Sequence, residues 1–378
     1  MAKRVLHIST GLGIGGAETM LANLLEQCDK AAWEARVLSL TDRMEMAPRL
    51  RDMGIGVDSL GMKRPWPNPF MYLRLVRYLK DWRPEIIQTW MYHADLLGGL
   101  AARRAGKIPA VWGIHHTNLD PAMNKRSTLW TMRLCARFSA SLPRRIVCCS
   151  EATRALHIQA GYDASRMATI PNGFDMDKFK PDPAARDDFR REIGIDSSAL
   201  LIGYIARFHP LKDHANFIRA AALLNRERPE VQFILAGKNI TRDNATLMEW
   251  IRENGMAERF HLLGMRSDTP RIEAALDIGS LASRGEAFPL ILGESMACGV
   301  PCVSTDVGDA ALIVGDCGRI VAPENPEALA GGWRELLDMP HEARIELGLR
   351  ARKRIQERFS ISIIASRYFD LYQEILQK

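Results

Sequence analysis

Short apolar segments alternate with longer helical segments twice along the chain, and this repetition constrains the fold most. In the first half, apolar or β-branched segments lie at 4–9, 35–40, 85–89, 110–114 and 145–149, and helical patterns begin at Gly15, Ala94 and Glu151. A second series lies at 200–205, 232–236, 261–263, 278–281, 301–304 and 319–321. Strands separated by helices predict parallel sheets with crossover helices. The sequence therefore predicts an α/β protein with two Rossmann-like, doubly wound domains.

The boundary between the domains is expected near a polar, proline-bearing segment, Lys180-Pro-Asp-Pro. A chain of 378 residues suits two domains of ordinary size. We place the first domain at 1–180 and the second at 181–359, and expect the helical segment 360–378 to pack back on the first domain. Two such domains facing each other leave a cleft at the carboxyl ends of both sheets, where ligands of α/β sheets bind.

The composition excludes several classes of protein. The net charge of +6 favours anionic partners, but the sequence has no zinc spacing and no basic module interleaved with aromatic residues, so we expect no nucleic-acid partner. The seven cysteines lack a CxxC pair, which is typical of a reduced, cytoplasmic protein. Neither a signal peptide nor a membrane-spanning stretch is apparent.

The densest basic stretch runs from Asn124 to Arg145. Two interpretations remain open for it. It is either an amphipathic helix with a solvated basic face or a surface that makes peripheral contact with an anionic membrane.

A glycine-rich segment, Gly11-Leu-Gly-Ile-Gly-Gly16, follows the first strand and opens a helix. It matches the dinucleotide fingerprint, although Asp42 lies late for the acidic residue that should follow the second strand. One interpretation is therefore an NAD(P)-dependent oxidoreductase. The other is that Gly15 and Gly16 let the backbone approach a different ligand closely.

In the second domain, charged residues follow two strands. Arg207 and Lys212 come directly after the strand at 200–205, and Glu286 and Glu294 bracket a loop that enters a helix. Pro289 suits the first helical position, which would leave the amide of Leu290 unpaired and create an anion site at the helix terminus. The carboxylates should accept hydrogen bonds from hydroxyl groups on either side of that anion.

Histidines end two strands of the first domain. His115 and His116 have no carboxylate or cysteine at ligand spacing, so hydrogen bonding at the cleft is favoured over metal binding. His93, in Trp90-Met-Tyr-His-Ala-Asp95, lines an acceptor pocket or forms a structural pair with Asp95. The segment Asp175-Met-Asp177 is interpreted as turn chemistry.

Taken in order, these motifs resemble the retaining glycosyltransferases of family 4, which share the GT-B fold. The resemblance covers nearly the whole chain. It rests on Gly15-Gly16-Ala-Glu18, the histidine pair, Ile170-Pro-Asn-Gly-Phe174, Arg207 with Lys212, Leu235-Ala-Gly237, Leu263-Gly264, and above all Glu286-Ala-Phe-Pro-Leu290 with Glu294-Ser-Met-Ala-Cys-Gly-Val-Pro301. The family usually has glycine where this chain has Ala287.

The resemblance implies a role for each matching residue. Glu294 would bind the ribose hydroxyls, Arg207 and Lys212 the diphosphate, and Glu286 the donor sugar. The amide of Gly16 would approach the donor phosphate, and His116, or its neighbour His115, would contact the sugar near the reacting carbon. The remaining expected donor-binding positions are Gly15, Gly237, Leu263, which would meet the base, Phe288 and Leu290.

The resemblance also implies an activity: metal-independent transfer of a sugar, with retention, from a UDP- or GDP-linked donor and without a cofactor. The expected acceptor is a saccharide or a lipid-linked saccharide, in cell-surface polysaccharide assembly. We expect the protein in the cytoplasm, at the inner face of the membrane. The alternatives are the oxidoreductase, a sugar-nucleotide epimerase and a solute-binding protein, although the last should carry an export signal.

Overall fold

The computed structural model describes residues 2–63 and 69–377. The chain divides into two compact units, Met1–Gly173 with Ile361–Lys378, and Phe174–Ser360. Each unit contains one parallel sheet with helices on it. The predicted α/β class, with two Rossmann-like domains, is confirmed.

The first unit holds a seven-stranded sheet in the order β3-β2-β1-β4-β5-β6-β7. Its strands are β1 Lys3–Ser9, β2 Trp33–Thr41, β3 Gly56–Met62, β4 Ile86–Trp90, β5 Ala110–Ile114, β6 Arg145–Cys148 and β7 Met167–Thr169. Its helices are α1 Gly16–Glu26, α2 Ala47–Asp52, α3 Pro69–Trp82, α4 Tyr92–Gly106, α5 Arg126–Phe138, α6 Glu151–Gln159 and, from the end of the chain, α15 Ile361–Gln377.

Helices cover both faces of this sheet, because alternate residues of a strand point to opposite sides. Val5 packs in a core with α1, α2 and α15, whereas Leu6 packs in a core with α3 and α4. A third cluster joins α4 to α5. Helix α4 therefore lies between α3 and α5 in one layer, and it contacts both.

The second unit holds a six-stranded sheet in the order β10-β9-β8-β11-β12-β13. Its strands are β8 Leu201–Ile205, β9 Gln232–Ala236, β10 Phe260–Leu262, β11 Ile278–Leu281, β12 Cys302–Thr305 and β13 Gly318–Val321. Its helices are α7 Pro183–Glu192, α8 His214–Asn225, α9 Ala245–Glu253, α10 Thr269–Ala275, α11 Leu290–Ala297, α12 Ala310–Val314, α13 Pro326–Leu337 and α14 His341–Phe359. In each sheet the strand order reverses beside the first strand, between β1 and β4 and between β8 and β11.

The division between the units lies at Gly173 and Phe174, rather than at the expected 180 and 181. The cause is aromatic packing. The ring of Phe174 lies 6.0 Å from the ring of Phe288, and its amide donates to the carbonyl of Phe359 at 2.8 Å. Both contacts tie Phe174 to the second unit.

Helix α15 belongs to the first unit. Its apolar face buries Ile364, Tyr368 and Tyr372, and Phe369 packs against Trp33 with ring centroids 5.6 Å apart. Among the described residues, no helix is both long and apolar enough to cross a bilayer.

Candidate active site

The carboxyl edge of the second sheet gathers most of the predicted site residues. Arg207 and Lys212 follow β8, Gly237 follows β9, and Leu263 follows β10. Glu286 follows β11, and Leu290 and Glu294 lie on α11. The amide of Gly237 donates to the carbonyl of Gly264 at 2.7 Å, and the amide of Leu263 donates to the carbonyl of Leu235 at 3.0 Å. These bonds hold the ends of β9 and β10 together.

Gly237 has a backbone conformation that favours glycine, with φ at +140°. A Cβ atom at this position would lie 2.3 Å from the carbonyl oxygen of Ala206 and 2.9 Å from the amide nitrogen of Arg207. Only glycine lets the two strand ends approach this closely. Gly237 thus fixes the backbone from which Arg207 projects.

Gly237→Ala is expected to destabilise the second unit by about 1–3 kcal/mol, because it adds backbone strain to a close contact. It should also weaken nucleotide binding, since Arg207 must shift. Gly331→Ala in α13 is a suitable control, because a Cβ there meets nothing within 4 Å. That change should stabilise the helix by about 0.5–1 kcal/mol. Thermal unfolding of both variants measures the contrast, and equal effects would show that Gly237 is not required.

Lys212 and Glu286 form an ion pair between the loops after β8 and β11. The same carboxylate oxygen, Glu286 Oε1, accepts from Ser283 Oγ at 2.6 Å. Tyr204 supports both loops, because its hydroxyl donates to the carbonyl of Lys212 at 2.8 Å and lies 3.0 Å from Ser283 Oγ. Since the strand order reverses between β8 and β11, the pair spans the point where ligands of doubly wound sheets bind.

A second ion pair ties the same two loops. Asp213 directly follows Lys212, with φ at +45°, and accepts from Arg284 Nε at 2.7 Å. The amide of Arg284 also donates to the carbonyl of Leu211 at 2.8 Å. Sequence reasoning missed Asp213, Arg284, Ser283 and Tyr204, because the Asp213–Arg284 and Tyr204–Ser283 contacts join segments about 70 to 80 residues apart.

Arg207 differs from Lys212 in its surroundings. Its side chain is exposed and makes no hydrogen bond or ion pair with any residue that the structure describes. Its charge is therefore available to an anion at the carboxyl edge. Lys212 also keeps this capacity, because an ammonium group has three donors and Glu286 engages only part of them.

Helix α11 begins at Leu290, one residue later than expected, and Pro289 is its N-cap. The reason is the extended ψ of Pro289, 101°. The amides of Leu290 and Ile291, at the start of the first turn, have no acceptor within the helix and face the carboxyl edge. The ring of Phe288 is buried between Phe174 and Phe359, so we expect its main chain, and not its ring, to face a ligand.

Glu294 lies half-buried on α11, next to Gly293. A Cβ at Gly293 would lie 2.0 Å from the ring of Phe174, so the helix packs closely on that aromatic ring. Burial raises the pKa of Glu294 to about 7, and the nearby cation of Lys178 opposes this shift. The Glu294 carboxyl is therefore close to half-ionised at neutral pH.

In the first unit, the predicted glycines lie where β1 meets α1. Gly15 is the N-cap of α1, with extended backbone angles, and Gly16 is the first helical residue. A Cβ at Gly15 would lie 2.6 Å from Glu18 Oε2, so this carboxylate folds over the helix terminus. A negative group at a helix N-terminus is stabilised by the helix dipole. Glu18 thus occupies the place of an anion at this terminus.

The histidine pair lies at the end of β5 in two different environments. His116 Nε2 lies 3.1 Å from Asn124 Oδ1, at the start of α5. His115 stacks on Trp90 with ring centroids 5.2 Å apart, and burial lowers its pKa to about 4. His115 is thus held neutral against Trp90, whereas His116 lies beside the loop 117–125; both residues are half-buried.

Met91 links β4 to β5 through a strained backbone, with φ at +72° and ψ at 157°. This region is almost exclusive to glycine and costs about 1–3 kcal/mol for other residues. The amide of Met91 donates to the carbonyl of Gly113 at 2.8 Å, and its sulfur accepts from the amide of His115 at 3.4 Å. The sequence could not predict the backbone strain at Met91, because methionine has no particular preference for this conformation.

Two other sequence predictions concern carboxylates. Asp95 accepts from Thr89 Oγ1 at 2.6 Å rather than pairing with His93, so of the two interpretations of His93 the structural His–Asp pair is wrong. Asp175 accepts from the amides of Asp177 and Lys178 at 3.0 and 2.9 Å, which confirms turn chemistry. No group of three or more potential metal ligands occurs within residues 2–63 and 69–377.

Comparison with known proteins agrees with this architecture. Residues 14–178 match the model of Glycosyltransferase Family 4, and residues 199–339 match the model of Glycosyl transferases group 1. The chain is similar to EpsF of Bacillus subtilis, whose name describes it as a glycosyltransferase. The two are 29% identical over 322 residues, which cover 80% of this chain and 79% of EpsF. It is also 24% identical to the N,N'-diacetylbacillosaminyl-diphospho-undecaprenol alpha-1,3-N-acetylgalactosaminyltransferase of Campylobacter jejuni, covering 90% and 92% of the two chains.

A solved structure shows the same fold. HepE of Anabaena, solved in complex with UDP and glucose, superimposes with a TM-score of 0.84 at 22% identity, covering 98% of this chain and 100% of HepE. The two parallel sheets and this superposition show the GT-B fold. The chain belongs to the glycosyltransferases of family 4.

Proposed function

We propose that this enzyme transfers a sugar from a nucleotide-diphosphate sugar to a saccharide or lipid-linked saccharide, with retention at the anomeric carbon and without a metal ion. The observation that carries the proposal is the Lys212–Glu286 ion pair across the β8/β11 switch point, beside the exposed Arg207. Lys212 is paired with Glu286, whose carboxylate can also accept a hydrogen bond from a hydroxyl group. Arg207 makes no ion pair with any of the described residues.

This arrangement suits a diphosphate leaving group. Arg207, Lys212 and the free amides at the start of α11 supply positive charge where negative charge develops, without a bound cation. Glu286 Oε2 makes no hydrogen bond to any residue that the structure describes, so it is available to a sugar hydroxyl. Glu294, on the far side of the first helical turn, would accept from the ribose hydroxyls.

The reaction then proceeds on one face of the sugar. The bond from the anomeric carbon to the diphosphate oxygen breaks, and a bond from the same carbon to the acceptor oxygen forms on that face. The acceptor proton passes to the departing phosphate oxygen. In this route no protein carboxylate attacks the sugar, and the cations stabilise the diphosphate as it leaves.

Two of the compared proteins support the proposed class of donor and acceptor. HepE was solved with UDP and glucose, and the name of the Campylobacter relative specifies a diphospho-undecaprenol acceptor. We propose a UDP- or GDP-linked donor and an acceptor of this lipid-linked or saccharide class, used in cell-surface polysaccharide assembly at the inner face of the cytoplasmic membrane. No cofactor is required.

A thermal-shift or calorimetric screen of nucleotides tests the proposal. A nucleoside diphosphate and its sugar conjugate should bind, and the conjugate that binds most tightly should then serve as donor in transfer assays with saccharide acceptors. Tight binding of NAD(P) without binding of any nucleotide sugar would instead support the oxidoreductase that the Gly11–Gly16 segment suggested. Conversion of the donor to its epimer without an acceptor would support an epimerase.

Removing divalent cations should leave transfer unchanged. We expect the initial rate in excess EDTA to stay within about twofold of the rate with Mg²⁺, because Arg207, Lys212 and the helix terminus already match the charge of a diphosphate. The control is an established metal-dependent glycosyltransferase assayed in the same buffers. Activity lost in EDTA and restored by Mg²⁺ would contradict metal independence.

A further inference from the structure

The outer surface of the α3–α4–α5 layer combines positive charge with exposed apolar side chains. On α5, the exposed residues Arg126, Trp130, Arg133 and Arg137 lie at spacings of four, three and four, so they form one stripe along the helix. The opposite side of α5 buries Leu129, Met132, Cys135 and Ala136 in the core. The stripe is thus the solvent-facing side of a firmly packed helix.

The neighbouring helices continue this surface. Exposed cations lie on α3, at Arg77 and Lys80, and at the end of α4, at Arg103 and Arg104. Among the described residues of the three helices, the exposed carboxylate is that of Asp81, which lies 3.6 Å from Arg77. We call the exposed residues of α3, α4 and α5 the basic face.

Helix stability explains only part of this charge. Cations in the last turn of a helix complement its dipole, which accounts for Arg137, Lys80, Arg103 and Arg104. Arg126 is the first residue of α5, where a positive charge opposes the dipole, and Arg133 lies in mid-helix. Neither makes an ion pair with any residue that the structure describes. Helix stability and ion pairing within the described residues therefore leave Arg126 and Arg133 unexplained.

The exposed apolar residues on and directly beside the basic face are grouped at one end. Trp130 is 46% exposed in the second turn of α5, Met123 is 41% exposed just before that helix, and Leu73 is 57% exposed near the start of α3. Helices that follow parallel strands begin at the carboxyl edge, so these side chains lie at the end of the unit that carries His116. The bond from His116 to Asn124 joins that histidine to the start of α5.

We propose that the basic face docks on the surface of an anionic bilayer. Cations paired with interfacial Trp, Leu and Met side chains are the composition by which helices lie on anionic lipid. The grouping of the apolar side chains turns the carboxyl edge of the first unit toward the lipid. The purpose of this orientation, presentation of a lipid-linked acceptor to His116, rests on the proposed function, whereas the docking itself does not.

Co-sedimentation with vesicles tests the inference directly. The full chain should bind vesicles of 30% phosphatidylglycerol in phosphatidylcholine at low salt, and should not bind pure phosphatidylcholine. Raising the salt to 0.5 M should weaken binding at least tenfold, because screening shortens the range of the attraction. Failure to bind the anionic vesicles at low salt overturns the proposal, and so does preferential binding of the chain to RNA.

Matched variants separate this surface from the net charge. Arg126→Gln, Arg133→Gln and Arg137→Gln together should lower the vesicle partition coefficient roughly 10²-fold, from about fivefold for each basic residue at an anionic surface. The control combines Arg219→Gln, Arg226→Gln and Arg252→Gln, which are exposed in the second unit and remove the same charge. Equal losses in both triple variants would contradict docking by the basic face.

Trp130→Ala tests the apolar contribution. It should lower binding about tenfold at low salt, and the binding that remains should be more sensitive to salt than that of the unmodified chain, because electrostatics alone is left. Unchanged binding would show that Trp130 does not enter the interface. The vesicle measurements need no sugar donor, so they test docking independently of glycosyl transfer. If only docking fails, transfer to a soluble acceptor should still occur. If the proposed function fails, no transfer should occur.

Discussion

Lys212→Ala is expected to lower kcat by roughly 10²- to 10³-fold, the usual effect of removing one preorganised group that stabilises developing charge. The Lys212 ammonium lies at the switch point between β8 and β11, held by Glu286 and by the turn that Asp213 and Arg284 stabilise. Its loss removes charge from the diphosphate and also leaves Glu286 without its cation. Arg207→Ala should have a loss of the same order, but without disturbing Glu286.

Steady-state kinetics with the identified donor measures this effect. Lys353→Ala removes the same charge from an exposed position of α14, and it should leave kcat within twofold. Adding Glu286→Gln to Lys212→Ala should restore stability, because the double variant has no unpaired carboxylate, but it should not restore kcat. Near-normal rates in both Lys212→Ala and Arg207→Ala would refute their roles.

Glu294→Gln is expected to weaken nucleotide binding and to stabilise the protein. A carboxylate that accepts from ribose hydroxyls contributes about 1.5–3 kcal/mol, so the affinity should fall roughly 10- to 100-fold. Sugar preference should stay unchanged, because Glu286 is the residue expected at the sugar. Glu286→Gln should show the reverse pattern.

The stability gain follows from the pKa of Glu294, which burial raises from 4.5 to about 7. The folded chain keeps its proton in a pH range where the unfolded chain has lost it, so stability falls as pH rises from about 4.5 to about 7. Glutamine removes this cost, which should add about 1–3 kcal/mol at pH 8 and almost nothing at pH 4.

Denaturation at several pH values measures the gain, and Glu346→Gln at an exposed position of α14 is the control. In the unmodified enzyme, nucleotide affinity should rise between pH 6 and pH 8, as the Glu294 carboxyl ionises. An unfolding free energy for Glu294→Gln that exceeds the unmodified value equally at pH 4 and pH 8 would contradict this account.

The sequence predicted the elements that have strong periodicity. Strands β5, β9 and β11 have the bounds expected for them, because buried parallel strands are continuous apolar runs. Strand β3, Gly-Val-Asp-Ser-Leu-Gly-Met, was missed, since its glycines and polar residues weaken the pattern. Strand β7 has three residues and was also missed.

The candidate site was predictable where its residues form local sequence motifs. The motifs around Glu286 and Glu294, and Arg207 with Lys212, are local in sequence, so their chemistry was visible. The ion pair of Asp213 with Arg284 and the Tyr204 hydroxyl contacts depend on which strands are neighbours, and residue type does not encode this. The strain at Met91 is likewise a property of the packed strand ends.

The anomeric configuration of the product tests the central claim most directly. With the tightest-binding nucleotide sugar, a saccharide acceptor and EDTA, proton NMR of the first product formed should show the same anomeric configuration as the donor. The nucleoside diphosphate should be released in equal amount. An inverted product, or no transfer from any nucleotide sugar that binds, would contradict the account.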